Sequence, residues 1–352
     1  MASLTEISII SRKIIRYSIY TVILIIIARF SINIGGKIYK ILFPPKPEPP
    51  TVSFGKLSAM PFPERPKYDF KYKLELPEGK LPIFPDRAEV YKMPKPQSNI
   101  KVLDNAKTKA QSLGFDPNGR LLDEKIPNVY IFSKKGLPSS LTMNIITGLF
   151  SISYNLEDDP LVLRDIPPSA EAAIAQALNF LNAGGLLNDD LRNGKPTHLY
   201  LKVEGGKFIP AVSLSDAQIT KVNIFRKAYG KDGNLVAVTP KMPQANIWFI
   251  ISGGRGKQII AGEYHYYPVD KNNPATYPII TSDQAWEELT KNNAFIANPG
   301  ENPDGNITIR KVYLGYYDPG QYSEYYQPVV VFEGDNDFYA YVPAVTSEYY
   351  PK

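Results

Sequence analysis

The chain has 352 residues, no cysteine and two histidines, which excludes disulfides, thiolate catalysis and cysteine- or histidine-rich metal centres. Its formal charge of +5 sits at one end: residues 1–46 hold seven Lys/Arg and one Glu, and the other 306 hold 33 Lys/Arg and 34 Asp/Glu. The body therefore lacks the net positive charge of a nucleic-acid binder, and it is long enough to build a core without disulfides.

Tyr17–Ala28 is an unbroken apolar run of 12 residues, about 18 Å of helix. Extending it to Ile14–Ile34 gives 21 residues, enough to cross a bilayer core. Arg16 and Arg29 near its ends can extend their charges to the headgroups. A cleaved signal peptide and an interfacial helix are the alternatives, but no small-x-small site follows Ala28. The flanking positive charge is nearly balanced. The short leading arm favours a single span with the N-terminus inside and the body extracytoplasmic.

Between Pro44 and Pro96 lie 13 of the 32 prolines. Proline fixes φ and removes a donor, so the first part of this stretch predicts a spacer, with polyproline II over Pro44–Pro50. From Tyr68 the pattern changes. Tyr68, Phe70, Tyr72, Leu74 and Leu76 alternate with polar residues, which predicts a strand. Ala88–Pro94 predicts another, so this part docks on the body by strand pairing.

The body predicts three capped helices. The first runs from Asn99 to Leu113, with Ser98 as cap, Ile100, Leu103, Ala106, Ala110 and Leu113 on its apolar side, and Gly114 as its stop. The second follows Ser169, carries Ile174, Ala177, Leu178 and Leu181, and ends at Gly184-Gly185. The third follows Thr281, with Gln284 completing a capping box. Strands are predicted over 128–133, 140–146, 149–156, 197–203, 208–214, 220–230, 235–240, 246–252, 257–269, 307–317, 327–334 and 337–345. A capped helix followed by a hairpin thus recurs three times. The fold class is α+β: an N-terminal transmembrane helix, then antiparallel sheets each covered by a helix on one face, in repeated helix–hairpin units. The organisation expected is an arm over 1–13, the span over 14–34, a tether over 35–67, docking strands over 68–97, α+β units over 98–280 and a C-terminal unit over 281–352.

The motifs Thr281–Leu289 (TSDQAWEEL), Val312–Tyr317 (VYLGYY), Tyr325–Gly334 (YYQPVVVFEG) and Phe338–Val345 (FYAYVPAV) resemble the YycH/YycI group and related PepSY-like modules. The layout is similar too, with one N-terminal membrane helix and an extracytoplasmic body. The resemblance implies a non-enzymatic regulatory protein that contacts another membrane or envelope protein. It supplies no catalytic residues.

Candidate chemistry is sparse. Gly253-Gly254-Arg255-Gly256-Lys257 leads into a strand and lacks the Ser/Thr of a phosphate-binding loop, so it predicts a hairpin turn. Asp116–Arg120 predicts a turn, because Arg120 stands where a calcium ligand belongs. Gly334–Asp337 predicts a hairpin turn, with weak calcium binding as the alternative. The carboxylate pairs Asp158-Asp159, Asp189-Asp190 and Glu287-Glu288 read as solvated charge. His198 and His265 fall within predicted strands, and no G-x-S-x-G elbow exists. No catalytic, cofactor or metal residue is expected. Tyrosine is abundant, at 24 residues, and clusters near the end. Tyr264, His265, Tyr266, Tyr267, Tyr316, Tyr317, Tyr325 and Tyr326 form the expected interaction surface, alongside Tyr313 and Tyr322. Such a face suits a protein partner or, alternatively, a cell-wall glycan or peptide. A hydrolase using carboxylates is the third reading.

Overall fold

The computed structural model describes residues 4–42, 49–254 and 258–351. The chain divides into two compact units, 1–49 and 50–352.

The first unit is one helix, α1 (Leu4–Leu42). Its window Ile15–Ile32, with mean hydropathy 1.7, is long and apolar enough to cross a membrane or serve as a signal anchor. The helix continues through Gly35-Gly36 to Leu42, past residue 35 where the tether is expected to begin. A glycine inside a helix costs only about 1 kcal/mol relative to alanine, too little to end it. Residues 44–48 of the expected polyproline segment lie outside the described residues.

In chain order the second unit carries β1 (Lys71–Leu74), β2 (Arg87–Lys92), α2 (Val102–Ser112), β3 (Arg120–Asp123), β4 (Ile126–Ser133), β5 (Ser139–Asn144), β6 (Phe150–Tyr154), α3 (Ala170–Ala183), α4 (Asp189–Arg192), β7 (Thr197–Glu204), β8 (Lys207–Pro210), β9 (Ile219–Asn223), β10 (Val236–Val238), β11 (Ile247–Ser252), β12 (Ile259–Tyr264), β13 (Asp270–Pro278), α5 (Ser282–Thr290), β14 (Phe295–Asn298), β15 (Asn306–Tyr317), β16 (Tyr325–Gly334) and β17 (Phe338–Pro343).

These strands form two sheets. The nine-stranded sheet runs β3-β4-β5-β6-β12-β11-β9-β7-β8. The eight-stranded sheet is built on β1-β15-β16-β17-β14, with β10 beside β15 and with β2 bridging β16 to β13. The class is α+β, as the patterning implies. Two pairings depart from an antiparallel plan: β1 and β10 both run parallel to β15. A parallel partner is reached only through a long crossover, which period-two alternation cannot show. The eight-stranded sheet also spans the boundary expected at 281, since it draws strands from 71–92, 236–238 and 270–278.

The helices are closed by backbone and side-chain caps. After α2, Gly114 adopts φ +84, and Phe115 N–H donates to Ala110 O at 2.9 Å. Ser98 does not cap α2: Lys101 occupies the cap position without a side-chain bond, and Asn99 Oδ1 accepts from Lys101 N–H instead. The helix therefore starts later than expected, and Ile100 is 97% exposed. Ser169 caps α3 by accepting from Ala172 N–H, and Gly185 at φ +65 ends it. The Thr281–Gln284 capping box starts α5.

Ala106 and Ala110 of α2, Leu113 just after it, and Ala173, Ala177 and Leu181 of α3 share one core with Phe132, Leu141 and Phe249 of the nine-stranded sheet. Ala285 and Leu289 of α5 pack on Ile307, Val330 and Phe332 of the other. Two of the three expected helices, α2 and α3, thus pack on one sheet.

Residues 50–67, expected as spacer, form a strap that belongs to this body. Leu57 is fully buried among Val90, Ala275, Tyr277, Tyr325 and Val345. Thr51 N–H donates to Thr276 Oγ1 at 2.9 Å, Thr276 N–H returns a bond to Thr51 Oγ1, and Leu57 N–H donates to Tyr349 O at 2.7 Å. Prolines exclude a regular strand here, but the intervening apolar side chains and amides still find partners.

Candidate binding groove

The strap, α5 and the chain end enclose a groove of about 730 Å3. Each wall has a physical cause. Gln327 Nε2 donates to Ser58 O at 3.0 Å, and Gln321 Nε2 donates to Pro61 O at 3.2 Å, so the strap is held by its carbonyls. Phe62 stacks on Phe295 with ring centres 4.7 Å apart and meets Tyr317 edge-on at 4.7 Å. This leaves Ala59, Met60 and Phe62 lining one side. On the other side, Gln284, Glu287 and Glu288 line it from α5. Their i, i+3, i+4 spacing puts them on one helix face. Ile280, Val342, Pro343 and Val345 supply the apolar floor. Ile280 N–H donates to Ala344 O at 2.8 Å, which ties that floor to the start of α5. Tyr350 closes the end, its hydroxyl donating to Gln327 Oε1 at 2.9 Å. Burial pushes this phenol above its ordinary pKa, so it stays protonated.

The groove is apolar in its floor and acidic at its rim. Glu287 pairs with Lys291 at 3.2 Å, and both are exposed, so that pair holds the carboxylate only weakly. Glu288 Oε2 accepts from Asn293 Nδ2 at 2.9 Å. A second cavity, of about 490 Å3, shares Asn293 with the groove. There Arg65 donates to Pro240 O at 3.1 Å and stands over the Phe295 ring.

The expected interaction surface is corrected by the structure. Tyr264, Tyr267, Tyr316, Tyr317, Tyr325 and Tyr326 are buried, and His265 and Tyr266 are half-buried. Tyr264 stacks on Phe150 and donates to Leu186 O. Tyr316 stacks on Tyr326 and donates to Glu89 O at 2.7 Å. Tyr325 stacks on Phe54 of the strap, and Tyr317 lies against Phe62. His265 Nδ1 lies 3.2 Å from Gly320 O, whereas His198 is exposed beside Tyr200. Of the two further tyrosines, Tyr313 and Tyr322 are half-buried. Residues 325–332 of β16 are covered on both faces, so alternation no longer separates inside from outside there.

At the centre of these rings lies a buried ion network. Arg226 donates from Nε to Asp318 Oδ2 and from Nη1 to Asp190 Oδ2, both at 2.8 Å, and from Nη2 to the Tyr267 carbonyl at 2.5 Å. Tyr229 and Tyr266 hydroxyls each donate to Asp190 at 2.9 Å. The guanidinium lies 4.2 Å from the Tyr266 ring centre. Asp190 and Arg226 accompany the nine-stranded sheet, whereas Asp318 follows β15 of the other. The network therefore fastens one sheet to the other. Burial works against the charge on Arg226, and the carboxylates of Asp318 and Asp190 outweigh it, holding its pKa above the ordinary value.

The Tyr326 hydroxyl is buried nearby with no hydrogen-bond partner among the described residues. Tyr326→Phe is therefore expected to leave stability unchanged or raise it by up to about 1 kcal/mol in urea unfolding. Tyr229→Phe, which strips a bond from buried Asp190, is expected to lower stability by about 1–3 kcal/mol.

The remaining motifs have structural explanations. A Cβ at Gly253 would collide with the carbonyls of Asp165 and Ile166, and one at Gly254 with those of Leu161 and Val162. The glycine pair thus permits backbone approach, while Arg255–Lys257 lie outside the described residues. Asp116 Oδ1 accepts from Asn118 N–H in the expected turn. Asn336 and Asp337 adopt φ +56 and +60, as a tight hairpin requires, and Asp335 grips Arg310 at 2.7 Å. Among the described residues, no group of three or more His, Asp or Glu is arranged to hold a metal ion.

Sequence reading missed Met60, Phe62, Gln284, Glu287 and Glu288 as a set. The available signals were the apolar residues interrupting the prolines and the shared helix face of Gln284, Glu287 and Glu288.

No protein-family model and no curated protein matches this chain. Among solved structures it is similar to an uncharacterised protein from Eubacterium rectale, at 15% identity over 76% of this chain and 86% of that one, with a TM-score of 0.35.

Proposed function

We propose that this chain is a single-pass, membrane-anchored, non-enzymatic interaction module of the bacterial cell envelope, with its N-terminus inside and its body outside. The groove beside α5 is its docking site for another envelope or membrane protein. The carrying observation is that groove, about 730 Å3, lined by apolar Ile280, Val342, Pro343 and Val345 and by Glu287 and Glu288 of α5. The apolar N-terminal helix and the closing β16–β17 hairpin support the same reading, which is that of a YycH/YycI-like regulatory protein. The glycan alternative loses its support with the burial of the tyrosines.

Ala59 is exposed and lines the groove, so Ala59→Trp should fill it without disturbing the core. Chemical cross-linking in intact membranes is expected to join the wild-type chain to a discrete partner. Ala59→Trp should lose that product while keeping the wild-type melting transition. Equal cross-linking of both chains would remove the groove from the proposal. A protease-protected body in intact cells would overturn the orientation.

A further inference from the structure

The groove lining carries two carboxylates, Glu287 and Glu288, and no lysine or arginine. Its floor is built from Ile280, Val342, Pro343 and Val345. We infer that the occupant is a short apolar protein segment bearing lysine or arginine, whose cation meets Glu287 and Glu288 while its apolar side chains cover the floor. This rests on the docking reading above and narrows it to one partner chemistry.

The argument is charge complementarity over apolar ground. An apolar segment alone would gain from leaving water but would not select this site over any other exposed apolar patch. The carboxylates supply the selection. Glu287 is exposed and held by a single exposed lysine, so it can exchange that partner at little cost. Glu288 is half-buried, and its Oε2 takes one bond from Asn293. A carboxylate has about four acceptor sites on its two oxygens, so capacity remains for a cation. An acidic segment would meet repulsion from both groups as well as losing hydration. The site thus attracts the right charge and rejects the wrong one. Lys291 becomes free when Glu287 changes partner, and it also lines the neighbouring cavity with Arg65 and Lys67. A segment long enough to pass Asn293 would therefore meet positive charge next.

The test uses full-length protein in neutral detergent micelles and two fluorescein-labelled peptides, Leu-Lys-Val-Lys-Leu and Leu-Glu-Val-Glu-Leu. Anisotropy is read against micelles alone. The lysine peptide should bind saturably and weaken with added salt, and the glutamate peptide should not bind. The double variant Glu287→Gln/Glu288→Gln should weaken the lysine peptide about tenfold, with a flatter salt dependence. Glutamine keeps the side-chain volume and the acceptor for Asn293, and an unchanged melting transition checks the fold. Equal binding of both peptides, no binding of either, or an unchanged double variant would each overturn the inference. The docking reading fails separately: it falls if Ala59→Trp leaves membrane cross-linking unchanged. Loss of cross-linking in Ala59→Trp with an unaffected Gln pair would keep the groove and discard the cation.

Discussion

Arg226→Met is expected to destabilise the body by about 3–5 kcal/mol, the range for removing one partner of a buried ion pair. Methionine restores much of the volume, so the loss is electrostatic. Asp190, only 2% exposed, and Asp318, 7% exposed, would be left buried without their cation. The pH dependence separates this cause from packing. In the wild type, burial works against the Asp190 charge. The Arg226 charge and the bonds from Tyr266 and Tyr229 outweigh it, so its pKa lies below the ordinary value. Its stabilisation is therefore complete above about pH 3.9, the unfolded value, and lost as pH falls through the lowered folded value. Without Arg226, burial dominates and the folded pKa should rise. The variant's deficit should then shrink on acidification from pH 7, since a protonated Asp190 no longer needs a partner. Urea unfolding of wild type and variant at pH 7 and pH 5 measures both. A deficit equal at the two values would assign the effect to packing.

Leu57→Ala is the second large effect, with an expected loss of about 2–5 kcal/mol from a fully buried site. Leu57 lies inside a stretch whose composition reads as spacer, so a spacer would lose nothing. The side chain is fully buried against Val90, Tyr277 and Tyr325, and the adjoining residues Ala59, Met60 and Phe62 form a groove wall. The variant should therefore lose stability and also expose the strap to protease before the rest of the body. Lys56→Ala, next to it and exposed, serves as the control and should change stability by less than about 0.5 kcal/mol. Equal behaviour of the two variants would return the strap to the role of a linker.

The strap shows why part of the fold was hidden. Proline content reports what backbone geometry is forbidden, namely helix and ladder. It is silent on whether the residues between the prolines are buried, because irregular chain has no period to read. The tyrosines failed for a related reason. Tyr316, Tyr317, Tyr325 and Tyr326 are large and amphipathic, and such residues suit an interface or a core equally well. Only the coverage of both faces at the end of β15 and along residues 325–332 of β16 decides between them. The partners of Arg226 were illegible too, since Asp190 lies 36 residues before it and Asp318 lies 92 after it.

What the sequence determined by itself is what local chemistry sets. The apolar run gave the N-terminal helix, because length and hydropathy are additive along a chain. Ser169, Thr281 and Gln284 gave helix starts, and Gly114 and Gly184-Gly185 gave stops, because caps are satisfied by near neighbours. Alternation gave most of the strands, including the two docking strands before Ser98, but not β3, β13 or β14. The tertiary structure alone decided which strands pair and which helices share a sheet. It also decided that the strap is part of the body, and that two glutamates read as surface charge border a groove. Each of these depends on contacts between residues far apart in the chain, whose free energy comes from mutual burial and leaves no periodic trace in either segment alone.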